Sequence, residues 1–327
     1  MEKVNVLYLP HPIKAVEDKN DFLSRQIGEN FPIRIFNRDA PAGPQFRDIE
    51  VIVDLGGNIT PELVNVASKE NIKYIQVQTN GLDHVEVEKI LGSGITLAHC
   101  PGNLSSVSLA EGAMMFILML AHGYGYATNQ FYEGAAFSLQ GMEIEGRSLG
   151  ILGFGASGQQ LARRAKAFGM KVHGIDIRKI EEEVLEDIKP DSMGGPKDLD
   201  NMLSHCDFIS VHLHLNEHTK HIIDKDKISL MRSSTFIINV ARGELIDEEA
   251  LYSALIEGRI AGAGLDAFAQ EPPDYNREVY KLPNVLVQPH TVASTDGTMH
   301  KRADFAVANL IRYAKGERLQ GLITQRI

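Results

Sequence analysis

An α/β chain of two doubly wound parallel-sheet domains is predicted by three observations. Short β-branched runs alternate with helix-like patterns nearly from end to end. At 327 residues the chain exceeds what one hydrophobic core usually organises. A glycine-rich strand-to-helix turn arrives only near residue 153, which leaves about a hundred residues ahead of it for another domain.

The first domain opens with VNVLYL, a helical stretch from Asp21 to Glu29, and the runs IRIF and VIVDL; a helix from Pro61 to Glu70 and the run YIQVQ follow. The chain is expected to cross into the second domain near Cys100 to Ser106. The apolar stretch AMMFILMLA, Ala113 to Ala121, is too short to span a bilayer and reads as a buried helix. The rhythm resumes with SLGILGFG, a helix from Ser157 to Phe168, KVHGID, FISVHL, TFIINV, a helix from Glu248 to Glu257, and AGAGLD. These runs predict parallel strands covered on both faces. After VLVQ and Pro289, a helix-like tail from Met299 to Gly316 lacks a strand partner of its own and is expected to return to the first domain. The expected limits are 1–103 with 294–327 for the first domain and 104–293 for the second, with a cleft between them. The acidic run Glu181 to Asp187 reads as a solvated helix face.

A formal charge of −10 and a pI of about 5.7 provide no basic field for phosphate backbones or anionic lipid, so neither nucleic acid nor membrane is an expected partner. The N-terminus MEKVNVLYLP lacks the basic-then-apolar layout of a secretory signal, and a cytoplasmic location is expected. Cys100 and Cys206 lie in apolar surroundings without metal-ligand spacing and read as inert, reduced thiols.

GFGASG, Gly153 to Gly158, fits the G-x-G-x-x-G pattern, with the apolar strand LGIL before it and the helix pattern QQLARRAKAFG after it. In that context Gly153 makes a tight turn, Gly155 admits a pyrophosphate, and Gly158 lets helix and strand pack closely. Ala156 and Ser157 then open a helix whose free amides and dipole favour an anion. Eighteen residues after Gly158, the strand VHGID ends in Asp176, whose carboxylate suits ribose hydroxyls and repels a 2'-phosphate. The expected cofactor is NAD rather than NADP, although Arg178 offers a guanidinium nearby.

Arg242, Glu271 and His290 lie at or just beyond candidate strand ends, where open α/β sheets bind ligands. Their chemistry is coherent. Reduction of a 2-oxo acid needs a proton donor near neutrality, which His290 can be. Glu271 would fix its tautomer and favour the imidazolium. Arg242 offers planar donors for a carboxylate. Each has a plainer reading alone: a surface arginine, a loop carboxylate before Pro272, and a core histidine after Pro289. His212 and His214 alternate in a strand-like run and so point the same way, but no third ligand stands at suitable spacing, and no metal is expected.

From about Tyr74 onward the chain resembles the D-isomer-specific 2-hydroxyacid dehydrogenase family. The resemblance is carried by SLGILGFGASGQQLARRAKAFGMKVHGID, INVARGELIDEEALYSALIEGRIAGAGLDAF, EPP and NVLVQPHT in that order. It implies a Rossmann NAD-binding domain and a flavodoxin-like substrate domain, a homodimer, and a catalytic set matching Arg242, Glu271 and His290. It also implies that Asp266 sits by the nicotinamide carboxamide, with Ala241 among the cofactor contacts. Backbone amides around Asn80 and Gly81 are implied to hold the substrate carboxylate beside Arg242 and His290; by composition Asn80 would be only an Asn-Gly turn residue.

The chain departs from the family pattern at His84 in Asp83-His84, at Gly112 where histidine is common, and at His214 where proline is frequent. The helix opening CPGNLSSVSLAEG is also one residue longer than usual. Two alternatives stand beside the dehydrogenase reading. One is formate oxidation, whose family branch pairs its histidine with glutamine. The other is an NAD(H)-sensing binding protein resembling the C-terminal binding protein corepressors. The chain ends at Ile327 soon after the returning helix, so the regulatory domain of some phosphoglycerate dehydrogenases is expected to be absent. The cation-free loop LGGNIT, Leu55 to Thr60, disfavours a phosphorylated substrate.

Overall fold

The computed structural model describes residues 4–13, 17–135, 137 and 139–324, with the side chains of 17–20 also left aside. Residues 1–3 of the N-terminal reading, and residues 325–327, lie outside the described residues. The chain divides into two compact units: Met1–Leu104 with Asp296–Ile327, and Ser105–Thr295.

Five parallel strands build the first unit: β1 (Val6–Leu9), β2 (Ile33–Ile35), β3 (Val51–Asp54), β4 (Tyr74–Val77) and β5 (Thr96–His99). Their order is β2-β1-β3-β4-β5, the flavodoxin-like arrangement. Side chains alternate between two buried faces. Leu7, Leu9, Ile52, Ile75 and Val77 pack on one, and Val6, Tyr8, Val51, Val53 and Tyr74 on the other. Helix Pro61–Lys69 begins where Thr60 accepts a hydrogen bond from the Leu63 amide (3.3 Å) and proline fills the first position.

The returning helix runs Asp296–Ala314 and covers the second of these faces with Ala303, Ala306 and Leu310. The tail does carry a strand. Leu322–Ile323 pairs antiparallel with β5 and completes a six-stranded sheet among the described residues. Two residues are too few to leave a periodic signal in a sequence.

The second unit contains β6 (Ser148–Leu152), β7 (Lys171–Ile175), β8 (Ser192–Gly194), β9 (Phe208–Val211), β10 (Phe236–Asn239), β11 (Gly262–Leu265) and β12 (Val285–Val287). All pair in parallel, in the order β12-β11-β10-β9-β6-β7-β8. The order reverses beside β6, which places a topological switch point at its C-terminal end. Both sheets are doubly wound, as the sequence patterns predict.

Helix Ser106–Ala121 carries ten buried residues along its length and shares a core with Leu149, Ile151, Phe208 and Ile238. Its nearly all-round apolar character follows from that burial. Among the described residues no single helix is long and apolar enough to cross a membrane.

Candidate active site

The glycine turn stands at the switch point. Gly153 has φ +97°, a conformation that glycine adopts without a Cβ penalty, and its amide reaches the Ile175 carbonyl at 2.8 Å. A Cβ on Gly158 would lie 2.2 Å from the Gly153 carbonyl oxygen, so turn and helix touch backbone to backbone. At Gly155 the space is open: the nearest atom a Cβ would meet is Arg178 Nη2, at 3.7 Å. Helix Ala156–Ala167 starts there without a side-chain cap, which leaves its first amides available to an anion.

Asp176 follows β7 directly. Its carboxylate accepts from the Phe154 amide (2.9 Å), which fixes it beside the glycine turn. It also accepts from the Arg178 amide (2.9 Å) and from Arg178 Nε and Nη2 (3.1 Å each). Burial works to raise the Asp176 pKa, but the hydrogen bonds and charge of Arg178 outweigh it and hold the carboxyl below its usual range. These residues fit a dinucleotide: an open backbone cradle at a helix N-terminus, with an ionised carboxylate at the end of the neighbouring strand.

His212 lies one residue past the end of β9. Its Nδ1 meets the Ser157 hydroxyl at 3.0 Å, and its Nε2 meets Ser210 Oγ at 2.9 Å. Enclosure pushes its pKa down to about 4, so the ring is neutral at physiological pH. Because β9 stops at Val211, strand alternation does not extend to the two histidines, contrary to the sequence reading. His214 is exposed, and its carbonyl accepts from Thr219 Oγ1 at 2.7 Å.

Beyond β10, β11 and β12 the unit gathers four ionisable side chains. Arg242 enters the short turn Gly243–Leu245 after Asn239, whose side chain accepts from the Ala241 amide (3.1 Å) and donates to the Arg242 carbonyl (2.8 Å). Ala241 thus sits in a loop pinned at both ends. Glu271 Oε2 lies 2.6 Å from His290 Nδ1, and Glu271 Oε1 accepts from the Phe268 amide at 3.2 Å. The two side chains remain 38 and 41 % exposed. The hydrogen bond to Glu271 raises the His290 pKa against the effect of burial. Burial alone would raise Glu271, but its bond to His290 and the nearby Arg242 charge hold it low.

His290 is held by an unusual backbone. Its amide bonds to the Gln288 carbonyl (2.9 Å) across Pro289, and its own φ is +54°, uncommon for a residue with a side chain. The two amides that follow, Thr291 (2.8 Å) and Val292 (3.2 Å), donate to the buried Asp266. Burial pushes Asp266 up to about 6 despite these bonds and the charge of His290. Asp266 therefore anchors the turn that presents the imidazole, a task that spacing in the sequence does not reveal.

Asn80 and Gly81 belong to the first unit, just beyond β4. The Asn80 carbonyl meets His99 Nδ1 at 3.0 Å, and the Gly81 carbonyl accepts from Thr79 Oγ1 at 2.8 Å. The departures from the family pattern also have local settings. His84 Nε2 bonds the Gly56 carbonyl (2.8 Å) and ties down the loop Leu55 to Thr60, which Asp54 holds from within through the Ile59 amide (2.8 Å). Gly112 faces Val292: a Cβ there would meet Val292 Cγ1 at 2.0 Å.

Comparison with known proteins gives the family. The family signature described as D-isomer specific 2-hydroxyacid dehydrogenase, NAD binding domain, matches residues 114–292. A hydroxypyruvate reductase of Thermotoga maritima is 38% identical over 249 residues, covering 75% of this chain and 78% of that protein. A glyoxylate reductase of Thermococcus litoralis is 33% identical, covering 94% and 97%. The crystal structure of D-lactate dehydrogenase from Aquifex aeolicus, complexed with NAD and lactic acid, superposes with a TM-score of 0.82 at 26% identity, over 99% of this chain and all of that one.

Proposed function

The chain belongs to the D-isomer-specific 2-hydroxyacid dehydrogenase family and is an NAD-dependent 2-hydroxyacid oxidoreductase; from that premise we propose that it reduces glyoxylate to glycolate and hydroxypyruvate to D-glycerate, using Arg242, Glu271 and His290. The observation that carries the assignment of roles is the 2.6 Å contact between His290 Nδ1 and Glu271.

NAD would be held by Gly153, Gly155, Ala156, Ser157 and Gly158 at the helix N-terminus, by Asp176 at the ribose, and by Ala241 and Asp266 at its other end. When bound in reduced form it supplies the hydride. With Nδ1 engaged by Glu271, His290 has Nε2 left to give a proton to the substrate carbonyl oxygen. Glu271 stabilises the imidazolium before the transfer and keeps the ring oriented after it. Arg242 pairs with the substrate carboxylate, a charged hydrogen bond worth about 1.5–3 kcal/mol. The carboxylate-binding role of the amides at Asn80 and Gly81 belongs to the same proposal and is supported by the sequence resemblance.

The names of the hydroxypyruvate and glyoxylate reductases, together with the cation-free loop Leu55 to Thr60, support a small unphosphorylated substrate, against the D-3-phosphoglycerate dehydrogenase of Methanocaldococcus jannaschii that is 36% identical over 284 residues. The test is NADH oxidation by purified protein against glyoxylate, hydroxypyruvate, pyruvate, 2-oxoglutarate, phosphohydroxypyruvate and branched 2-oxo acids, with NADPH in parallel. Fastest turnover on glyoxylate or hydroxypyruvate is expected. Preference for another acid would overturn the substrate assignment, and silence with NADH still bound would favour the sensor reading.

A homodimer and a cytoplasmic setting are part of the proposal. The first is supported by the exposed aromatic group Tyr124, Tyr126, Phe131 and Tyr132 on helix Tyr124–Tyr132, which has no buried residue. The second is supported by the buried free thiols of Cys100 and Cys206. Light scattering should give twice the chain mass for the native protein; a monomer at micromolar concentration would exclude the dimer.

A further inference from the structure

Away from the nucleotide cradle, the second unit brings together two imidazoles and a thiol that the proposed reaction does not use. His173 lies in β7, and His205 and Cys206 lie where helix Leu199–His205 ends ahead of β9. One ring nitrogen of each histidine and the Cys206 sulfur lie within 4.8 Å of one another. We propose that His173, His205 and Cys206 form a binding site for a thiophilic divalent cation, Zn²⁺ by preference.

Each histidine has an oxygen partner on Nδ1. The β7–β8 register sets Ser192 opposite His173, and its hydroxyl meets His173 Nδ1 at 2.8 Å. His205 Nδ1 bonds the Asn201 carbonyl one helical turn back. Since a carbonyl only accepts, Nδ1 of His205 carries a proton, which leaves Nε2 as its ligating nitrogen. An outer oxygen partner on one ring nitrogen with the other left to bind is the usual arrangement around a ligating histidine. The rings meet edge to face with centroids 5.1 Å apart.

The donor set selects the ion. Two imidazoles and a thiolate suit zinc and disfavour magnesium and calcium, which take oxygen ligands. Cys206 is fully buried and its thiol is pushed up to about 12, chiefly by burial, so binding must release its proton. Zinc–ligand bonds of about 2.0–2.3 Å would draw the donors to roughly 3.3–3.8 Å of one another. His205, exposed at its helix terminus, has the room to close that gap. Its exposed side leaves the fourth position to water. The ion would bridge β7 to the start of β9 across β6, three residues before Asp176 on β7.

The experiment loads chelator-treated full-length protein with Co²⁺ as a spectroscopic stand-in, then displaces it with Zn²⁺. Expected are one equivalent of cobalt with a near-ultraviolet thiolate-to-cobalt charge-transfer band, bleached by one equivalent of Zn²⁺. His205→Ala and Cys206→Ser should each lower affinity at least tenfold and remove the band, while Cys100→Ser keeps it. His205 is exposed, so its variant decides the matter if Cys206→Ser fails to fold. Absence of the band from the native protein, or its persistence in His205→Ala, would overturn the proposal.

Discussion

Replacing Glu271 with glutamine keeps the shape of the His290 contact and removes its charge. The bond spans 2.6 Å and joins side chains 38 and 41 % exposed. A charge-assisted hydrogen bond contributes about 1.5–3 kcal/mol, and exposure of this degree reduces it to roughly 1–2 kcal/mol through solvent screening. At about 1.4 kcal/mol per tenfold, kcat/KM for 2-oxo acid reduction should fall roughly 5- to 30-fold near neutral pH.

The pH profile is the sharper readout. Glu271 raises the His290 pKa, so the native enzyme keeps its proton donor until the pH climbs through that raised value, and reduction declines above it. In Glu271→Gln the decline should begin at lower pH. Stability follows the same sign. The pair's contribution is present between the carboxyl range of Glu271 and the unfolded histidine pKa of about 6.5; it is lost as pH rises through the raised histidine value and, at the acid end, as Glu271 takes up a proton. The assay is kcat/KM for NADH-dependent reduction across pH, with thermal melts of both proteins. An unmoved profile with undiminished turnover would refute the role given to Glu271.

Gly112→Ala gains up to about 1 kcal/mol in helix propensity but forces a methyl onto Val292, and overpacking of this kind costs about 1–3 kcal/mol. A net loss of stability is expected by chemical denaturation, together with weaker activity because Val292 closes the turn that carries His290; a stabilised variant would contradict the contact. Asp176→Ala should release Arg178 from its ion pair and shift the NADH-to-NADPH preference roughly 10- to 100-fold toward NADPH, read from kcat/KM with each cofactor. An unchanged ratio would mean that another group reads the ribose.

The alternating runs and the glycine turn were legible because parallel strands and a tight strand-to-helix turn constrain residue type locally. Arg242, Glu271 and His290 were legible as candidates because each follows a strand end. Their pairing was expected from their chemistry, but the backbone that makes it was not: the left-handed conformation at His290 and the grip of Asp266 on the next two amides leave no mark in residue spacing. Nor could spacing reveal that His84 secures the loop at Gly56, or that His173 meets His205 and Cys206. The last of these meetings arises from sheet order, which places β7, β6 and β9 side by side although their sequences are separated. Gly112 looked like a departure from pattern, and in the structure it is the space that Val292 occupies.

The division of the chain has a consequence for synthesis on the ribosome. The second unit is continuous, so all of its strands have emerged once Thr295 clears the exit tunnel. The first unit begins earlier yet finishes later. Until the last helix and Leu322–Ile323 arrive, β5 has an open edge and Gln76 lacks the Asn309 amide that bonds it at 2.9 Å. The unit whose strands precede the other's is therefore the one whose sheet is completed last, and during that interval the open edge of β5 and the apolar face that helix Asp296–Ala314 will cover are exposed to aggregation and to chaperone capture.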